Sequence, residues 1–260
     1  MLNRFVNDLK KYFNYSIYSA RAHLKAEVAD SYLNWIWWIL EPVCLMLIYT
    51  FIFGQVFNAK EDYFNIFVYV GLSMWQFFER TIKQSVRLVK NNKSIVTKVY
   101  MPKFILILTR IWINGFKMFI SYAIVLVLMV VYRVPITWNI LYVVPVIAIL
   151  FLFTFGCAAF LLHFGVYVAD LTNVMNIVLK FMFYLTGIFY NIETKIEGFG
   201  PLLAKANPVA FLITSMRKCL IYKSAPAELV LLLWAAVSIA LAVLGVIKIY
   251  KNENSYVKMI

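Results

Sequence analysis

The stretch SYLNWIWWILEPVCLMLIYTFIF, Ser31–Phe53, decides the fold class, because an apolar run of membrane-spanning length follows a cluster of aromatic rings. Trp35, Trp37 and Trp38 fall within four residues, Glu41–Pro42 comes next, and the rest of the stretch is almost entirely apolar. Crossing a bilayer core takes about 20 apolar residues in a helix, and tryptophan is enriched where such a helix meets the headgroups. The stretch therefore predicts a transmembrane helix whose aromatic end lies at a membrane surface.

The composition extends this interpretation to the whole chain. Of the 260 residues, 63% are hydrophobic and 14% are charged, whereas soluble domains carry about 25% charged residues. We therefore expect an all-α integral membrane protein with one transmembrane domain over 1–260, comprising a cytoplasmic interfacial helix at 1–33, a six-span bundle at 34–248 and a cytoplasmic tail at 249–260. The predicted spans lie near 34–57, 64–83, 104–131, 140–163, 172–190 and 227–248.

Basic residues set the predicted orientation. The formal net charge is +13, and the segment 83–103 contains no acidic residue but holds Lys83, Arg87, Lys90, Lys93, Lys98 and Lys103. Because cytoplasmic loops of membrane proteins are enriched in lysine and arginine, we expect this segment and both termini to lie in the cytoplasm. Anionic lipid accounts for this charge, so no nucleic-acid partner is expected.

Two further segments predict helices outside the six spans. Residues 1–30 carry apolar side chains at near-helical spacing from Phe5 to Val28, which predicts an amphipathic helix in the headgroup plane. The outer connection 191–226 contains an apolar segment that is too short to cross, introduced by Asn207–Pro208. That segment predicts a short re-entrant helix at the outer side.

Charged residues also occur inside the predicted spans. Glu41 and Arg110 lie at similar depth, roughly 10 Å into the first and third spans at 1.5 Å per residue. Because burying either charge alone is costly, the sequence predicts an ion pair between them. The alternative is that Glu41 reaches the interface or caps a helix, and Pro42 is expected to kink or start the membrane helix.

The aromatic residues of the first two spans have two open interpretations. Trp and Tyr at a membrane boundary usually form an aromatic belt. They are also suited to line a passage for sugar, because C–H groups on a sugar face stack on aromatic rings. The candidates for such a substrate path are Tyr32, Trp35, Trp37, Trp38, Tyr49, Trp75 and Phe78.

Motifs for nucleotide binding, metal binding and hydrolysis do not occur in the sequence. There is no GxxxxGK[ST] motif, His23 and His163 are far apart, and the three cysteines are scattered without metal-ligand spacing. We therefore expect no catalytic residue, no metal and no cofactor on this chain. The sequence also lacks the GxxxG motif of close helix packing.

Four segments, taken together, resemble a known family: LKAEVADSYLNWIWWILEP at 24–42, GLSMWQFF at 71–78, NNKSIVTKVYMPKFIL at 91–106 and NPVAFLITSMRKCLIY at 207–222. They are similar to the permease subunit of polysaccharide ABC exporters. This is the ABC-2 type family, which moves lipid-linked O-antigen, capsule or teichoic acid precursors. The resemblance covers nearly the whole chain, in order.

The resemblance implies a working unit of two copies of this chain and two copies of a separate ATPase, which binds ATP and Mg, in the bacterial cytoplasmic membrane. The first and fifth spans would face a central channel for the lipid-linked glycan, and the outer segment at Asn207, Pro208 and Arg217 would be the re-entrant exit helix. Arg87 and Lys90 are candidates to hold the diphosphate of the lipid carrier. The resemblance assigns ATPase contact to Lys25, Glu27 and Asp30 and to a coupling helix carrying Ser94, Val96, Lys98 and Tyr100.

Three other functions remain open from the sequence. An ABC-2 exporter of a small drug or antibiotic would share the fold but have a shorter, less aromatic passage. A membrane enzyme acting on lipid-linked sugars would need a carboxylate or histidine cluster near one interface, and the sequence predicts none. A structural scaffold is less compatible with the deep charges.

Overall fold

The computed structural model describes residues 2–29, 32–57, 59, 61–195 and 198–259. The described residues contain no β-strand, which confirms the all-α prediction. The helices are α1 Leu2–Ala29, α2 Trp37–Thr50, α3 Phe64–Val86, α4 Leu88–Asn91, α5 Lys93–Val96, α6 Phe104–Val131, α7 Val143–Tyr167, α8 Leu171–Leu185, α9 Ile192–Lys195, α10 Gly200–Ala206, α11 Pro208–Leu220, α12 Glu228–Lys251 and α13 Glu253–Met259.

Four helical segments among the described residues are long and apolar enough to cross a membrane: Trp37–Val56, Phe104–Val131, Trp138–Tyr167 and Glu228–Lys251. They coincide with the first, third, fourth and sixth predicted spans. The first of them continues α2 through a π-helical turn, and the third starts in a short 3₁₀ turn. The fifth predicted span is the 15-residue helix α8, and the second is α3, which carries three charged residues in its second half.

Helix α3 is the central helix of the bundle. Sixteen of its 23 residues are buried, because α2, α6, α7, α8 and α11 all pack against it. A helix surrounded by protein has no lipid-facing surface to keep apolar. This position explains why α3 is less apolar than the other predicted spans.

Two aromatic rings of α3 correct the predicted substrate path. Trp75 is 0% exposed and Phe78 is 4% exposed. The Trp75 ring centroid lies 5.8 Å from that of Phe183 on α8, and the Phe78 centroid lies 6.0 Å from that of Phe153 on α7. These rings fill the space between helices, as large apolar side chains do in a close-packed interior. Both rings are therefore buried in the packed interior, and Phe78 belongs to the core rather than to an open passage.

Small residues bring α7 and α12 close together. A Cβ atom on Gly245 would lie 2.6 Å from the Cβ of Ala159, and one on Gly156 would lie 2.8 Å from the Cβ of Leu241. Small residues at helix interfaces allow backbones to approach closely in membranes. Gly156 and Ala159 are three residues apart, so a search for GxxxG does not detect this interface.

Helix α1 packs along the first half of α6. The ring centroids of Phe5 and Phe104 are 5.0 Å apart, and those of Phe13 and Trp112 are 5.8 Å apart. The predicted N-terminal helix is therefore confirmed over Leu2–Ala29, with apolar residues turned towards the bundle. Asp30, predicted to contact an ATPase, lies outside the described residues.

Helix α11 starts where the sequence predicts. The side-chain oxygen of Asn207 accepts hydrogen bonds from the backbone N–H groups of Val209 and Ala210, at 3.1 and 3.3 Å. Pro208 is the first helical residue, a position where its missing N–H costs no hydrogen bond. Ten of the 13 residues of α11 are buried, so the helix is enclosed by other parts of the protein.

Candidate transport path and coupling surface

A cleft of about 430 Å³ lies between α2, α3 and α8. Tyr49 of α2, Glu79 of α3, and Lys180 and Tyr184 of α8 contribute polar groups to its lining. The carboxylate of Glu79 accepts a hydrogen bond from the indole N–H of Trp75 at 2.9 Å, at the back of the cleft. The cleft therefore combines aromatic walls with one acidic and one basic side chain.

A cluster of stacked aromatic rings packs beside this cleft, and its member Phe189 is buried. The centroid of Phe189 lies 4.6 Å from that of Tyr49 and 4.3 Å from that of Phe53, and the planes of Phe53 and Phe189 are nearly parallel. Phe183 lies 5.3 Å from Phe189. Flat aromatic faces bind the apolar faces of sugar rings, while charged side chains bind hydroxyl or phosphate groups. The arrangement is suited to sugar rings with polar substituents.

The aromatic residues at the start of α2 do not line this cleft. Tyr32 is fully exposed, and Trp35 and Trp37 are 57% and 46% exposed. Trp38 packs edge-on against Phe116 of α6, with their centroids 5.7 Å apart. Of the seven predicted path residues, the structure brings only Tyr49 and the buried Trp75 to the cleft. Exposed rings at one end of a span favour the aromatic-belt interpretation for Tyr32, Trp35 and Trp37.

Glu41 forms an ion pair with a different partner from the one predicted. The Nη2 of Arg80 lies 2.6 Å from the Oε1 of Glu41, so the predicted Glu41–Arg110 pair is wrong. The physical reason is packing, because α2 lies mainly against α3 and that helix carries Arg80. Pro42 lies inside α2 and is buried. Both charged side chains remain partly exposed, at 49% for Glu41 and 32% for Arg80.

The predicted coupling segment forms a shorter helix than expected. Helix α5 spans only Lys93–Val96, and the chain continues in turns. Ser94, Lys98 and Tyr100 are exposed and accessible to a partner. Val96 is 6% exposed and packs into the core. It therefore anchors the segment instead of contacting a partner, as expected for an apolar side chain beside a core.

A partly buried ionic network that the sequence analysis missed connects the coupling segment to both ends of the chain. Glu253 of α13 lies 2.7 Å from Nη2 of Arg4 and 3.3 Å from the hydroxyl of Tyr100, and its other oxygen lies 3.9 Å from Nζ of Lys103. Burial lowers the pKa of Lys103, and the charge of Glu253 opposes this shift. Glu253 is the only acidic residue in the basic tail 249–260. This isolated acidic residue was the sequence signal that could have indicated the network.

The other predicted cytoplasmic residues are separate from this network. Arg87 and Lys90 are exposed, and the Nε of Arg87 donates to the Thr172 hydroxyl at 2.9 Å, next to the start of α8. Lys25 is exposed on α1. Glu27 is already bound by Lys117, whose Nζ lies 2.6 Å from Oε1. Glu27 therefore holds α1 to α6 while its side chain stays 49% exposed, and its contact with an ATPase remains a prediction.

Arg217 is a structural centre of the half of the bundle that contains α11. Its guanidinium donates to the carbonyl oxygens of Phe67, Gly187 and Ile188, with the shortest distance to each between 2.8 and 3.0 Å. The residue is 3% exposed. Arg217 thus connects α11, α3 and the turn after α8, and it does not face an open passage.

Metal-binding side chains do not cluster in the part of the chain that the structure describes. No group of three or more His, Cys, Asp or Glu residues there has the geometry to hold a metal ion.

An all-helical bundle with apolar spans, an aromatic cleft and exposed basic loops defines the class of multi-pass membrane transport proteins. Residues 18–221 match the family described as ABC-2 type transporter, and the chain belongs to that family. It is therefore a multi-pass protein of the cytoplasmic membrane and a transport subunit.

The similar proteins include permeases of one kind. The chain is 28% identical over 246 residues to the O-antigen export system permease protein RfbA of Myxococcus xanthus, covering 91% of this chain and 95% of that protein. Two proteins of the same name from Klebsiella pneumoniae are 27% identical over 195 and 198 residues, covering 75% of this chain and of each relative.

Proposed function

We propose that this chain is the transmembrane subunit of an ATP-driven exporter that moves a lipid-linked polysaccharide or teichoic acid precursor across the cytoplasmic membrane. The observation that carries the proposal is the aromatic cleft between α2, α3 and α8, which holds Tyr49, Glu79, Lys180 and Tyr184. Stacking on rings tolerates many sugars, as a passage for a long glycan requires. The similarity to O-antigen export permeases supports the same substrate class.

We infer that two copies of the chain enclose the path. Over its most apolar window, the segment Trp37–Val56 is only 11% buried, the lowest of the four candidate spans. Helix α8 is similarly uncovered, with Ile177 71% and Phe181 65% exposed. A second copy related by two-fold symmetry would cover both helices at once. In this arrangement α3 and α8 complete a six-span bundle with both termini in the cytoplasm, and α11 is a re-entrant helix at the outer side.

A separate ABC ATPase supplies the energy in this proposal. It contacts the exposed face of the coupling segment at Ser94, Lys98 and Tyr100, and α1 near Lys25. Because Tyr100 contacts Glu253 and Arg4, movement of that segment reaches α1 and α13 directly. Arg87 and Lys90 remain candidates for the diphosphate of the lipid carrier, since both are exposed and basic close to the start of α8.

The test is inactivation of the gene in its host, followed by measurement of surface glycan and of drug accumulation. We expect loss of a surface polysaccharide and intracellular build-up of its lipid-linked form. Normal glycan together with increased drug accumulation would instead establish the small-molecule exporter.

Complementation with matched variants tests the path itself. Tyr184→Ala removes an aromatic ring that is 64% exposed in the cleft, and Trp138→Ala removes one that is 88% exposed outside it. Neither ring is buried, so both variants should fold. We expect export to fall several-fold with Tyr184→Ala only, because stacking on one ring contributes about 1 kcal/mol.

A further inference from the structure

A second cavity, of about 340 Å³, lies where α1, α3 and α6 meet, and the proposed transport path does not use it. Its position is at the end of α1 that is held to α6 by the Glu27–Lys117 ion pair. The cavity is lined by His23, Ala26, Glu27, Gln84, Arg110, Ile113 and Lys117.

The charges around this cavity do not balance. Lys117 is neutralised by Glu27, since its Nζ lies 2.6 and 2.7 Å from the two carboxylate oxygens. Arg110 makes no hydrogen bond and no close ion pair within the described part of the chain, although it lies in the electrostatic field of Glu27. Two cations against one carboxylate leave one positive charge in excess. The guanidinium of Arg110 is partly buried and still accessible, so its donors are free to bind an anion in the cavity.

The remaining polar groups at the cavity can donate hydrogen bonds. The amide oxygen of Gln84 accepts from Asn114 at 3.2 Å, which leaves the Gln84 amide N–H groups for the cavity. Burial and the charge of Arg110 lower the pKa of His23, while Glu27 opposes them. A neutral imidazole still offers one N–H donor. Donors from three different helices therefore converge on the space beside Arg110.

These features match the chemistry of a phosphate group. The planar guanidinium fork binds phosphate through two parallel hydrogen bonds, and Gln84 and His23 supply further donors to the other oxygens. The cavity volume is about ten times the roughly 30 Å³ that one water molecule occupies in the liquid, so a hydrated phosphate fits. Amphipathic helices such as α1 lie at the depth of lipid headgroups, where phosphate is abundant.

We propose that Arg110, Gln84 and His23 form a phosphate-binding site that fastens α1 to α3 and α6. The phosphate comes from a phospholipid headgroup or from inorganic phosphate. The site is independent of the glycan path, because none of its residues lines the cleft between α2, α3 and α8.

The experiment compares two sources of phosphate on the purified full-length chain. Thermal unfolding in detergent is followed with increasing inorganic phosphate, against chloride at equal ionic strength. In a second arm, the chain is extracted from vesicles of phosphatidylglycerol, and native mass spectrometry counts the retained phospholipid. Stabilisation by phosphate alone identifies free phosphate as the ligand, and retained lipid identifies the headgroup.

Four variants decide the assignment. Arg110→Gln should weaken the apparent affinity at least about tenfold, because it removes a charge-assisted bidentate contact. Arg110→Lys keeps the charge without the fork and should be intermediate. Lys10→Gln removes an exposed charge elsewhere on α1 and should match the unmodified chain. His23→Ala disturbs no hydrogen bond within the described residues and should weaken binding without unfolding the chain.

The proposal is overturned if the unmodified chain shows neither response, or if Arg110→Gln and His23→Ala both respond as Lys10→Gln does.

Discussion

The guanidinium of Arg217 satisfies three backbone carbonyls that belong to two different segments, those of Phe67 and of Gly187 and Ile188. The carbonyls of Gly187 and Ile188 lie in the turn after α8, where no helical N–H is available to them. Phe67 lies in the first turn of α3, and its carbonyl accepts the guanidinium as an additional donor. In a membrane protein such groups find no water in the apolar region. A single long donor side chain therefore allows irregular backbone to be buried at this depth.

Replacing Arg217 with Met should lower the free energy of unfolding by at least about 3 kcal/mol, because it leaves three buried carbonyls with fewer donors. The neighbouring Lys218 provides the matched control. It pairs with Glu193 at 3.0 Å but is 29% exposed, so Lys218→Met should cost less than about 1 kcal/mol. Thermal unfolding in detergent measures both, and equal losses would contradict the structural role of Arg217.

The corrected ion pair leads to a charge-reversal prediction. Glu41→Arg places two positive charges 2.6 Å apart in the present geometry and should reduce the yield of folded protein. Adding Arg80→Glu should restore it, because the reversed pair reproduces the attraction, which is worth up to about 1 kcal/mol for partly exposed side chains. Adding Arg110→Glu to Glu41→Arg should not restore the yield of folded protein. Recovery with Arg110→Glu and not with Arg80→Glu would reinstate the pair that the sequence alone predicts.

At the scale of elements, close backbone approach fixes how the helices pack. A Cβ atom on Gly165 of α7 would lie 1.9 Å from the carbonyl oxygen of Val86, at the end of α3. Gly165 lies at the close contact of α7 with α3, and Gly156 and Gly245 lie at the close contact of α7 with α12. Dispersion contacts between closely packed backbones stabilise helix association in lipid. Three glycines thus determine the position of α7 between its neighbours.

The network at Glu253 joins three elements, and its removal should loosen α1. Glu253→Gln leaves Lys103, which is 3% exposed, without a compensating charge. We expect a loss of about 3 kcal/mol in the stability of this contact, seen as faster hydrogen exchange in α1 and in the segment around Tyr100. Asp170→Asn is the matched control, since the Asp170 side chain makes no capping hydrogen bond. If both variants exchange alike, Glu253 does not hold α1 in place.

The elements were largely predictable from the sequence, whereas their contacts were not. Apolar runs and Asn207–Pro208 gave correct helix positions, because bilayer thickness and helix capping act locally. The partner of Glu41 depends on how α2 packs on α3, a long-range property that residue spacing does not encode. The burial of Trp75 also depends on helix packing, and residue type does not predict it, because an aromatic side chain suits a core and a passage equally well. Glu253 was missed because its partners lie 150 or more residues away in the chain.

At the scale of the whole molecule, the exposed and covered surfaces of the bundle differ between its two sides. The most apolar windows of the third and fourth predicted spans are 44% and 39% buried, against 11% for the first. Lipid can cover an apolar helix, but it does not explain a cleft lined by Glu79 and Lys180 beside that helix. The proposed water-filled path, shared with a second copy, would account for both observations.

The orientation of the bundle decides whether a cytoplasmic ATPase can drive this path. Single cysteines introduced into a variant without Cys44, Cys157 and Cys219 report the side of the membrane. We expect Lys98→Cys, on the exposed coupling segment, to react with a membrane-impermeant maleimide only after the cells are permeabilised. Trp138→Cys, in the predicted outer connection and 88% exposed, should react in intact cells. The basic segment 83–103 should be inside, because moving its six cations outwards opposes the charge distribution of membrane insertion. Labelling of Lys98→Cys in intact cells would place the coupling segment beyond the reach of any cytoplasmic partner, and neither the ATPase contact nor the transmission through Tyr100 could then operate.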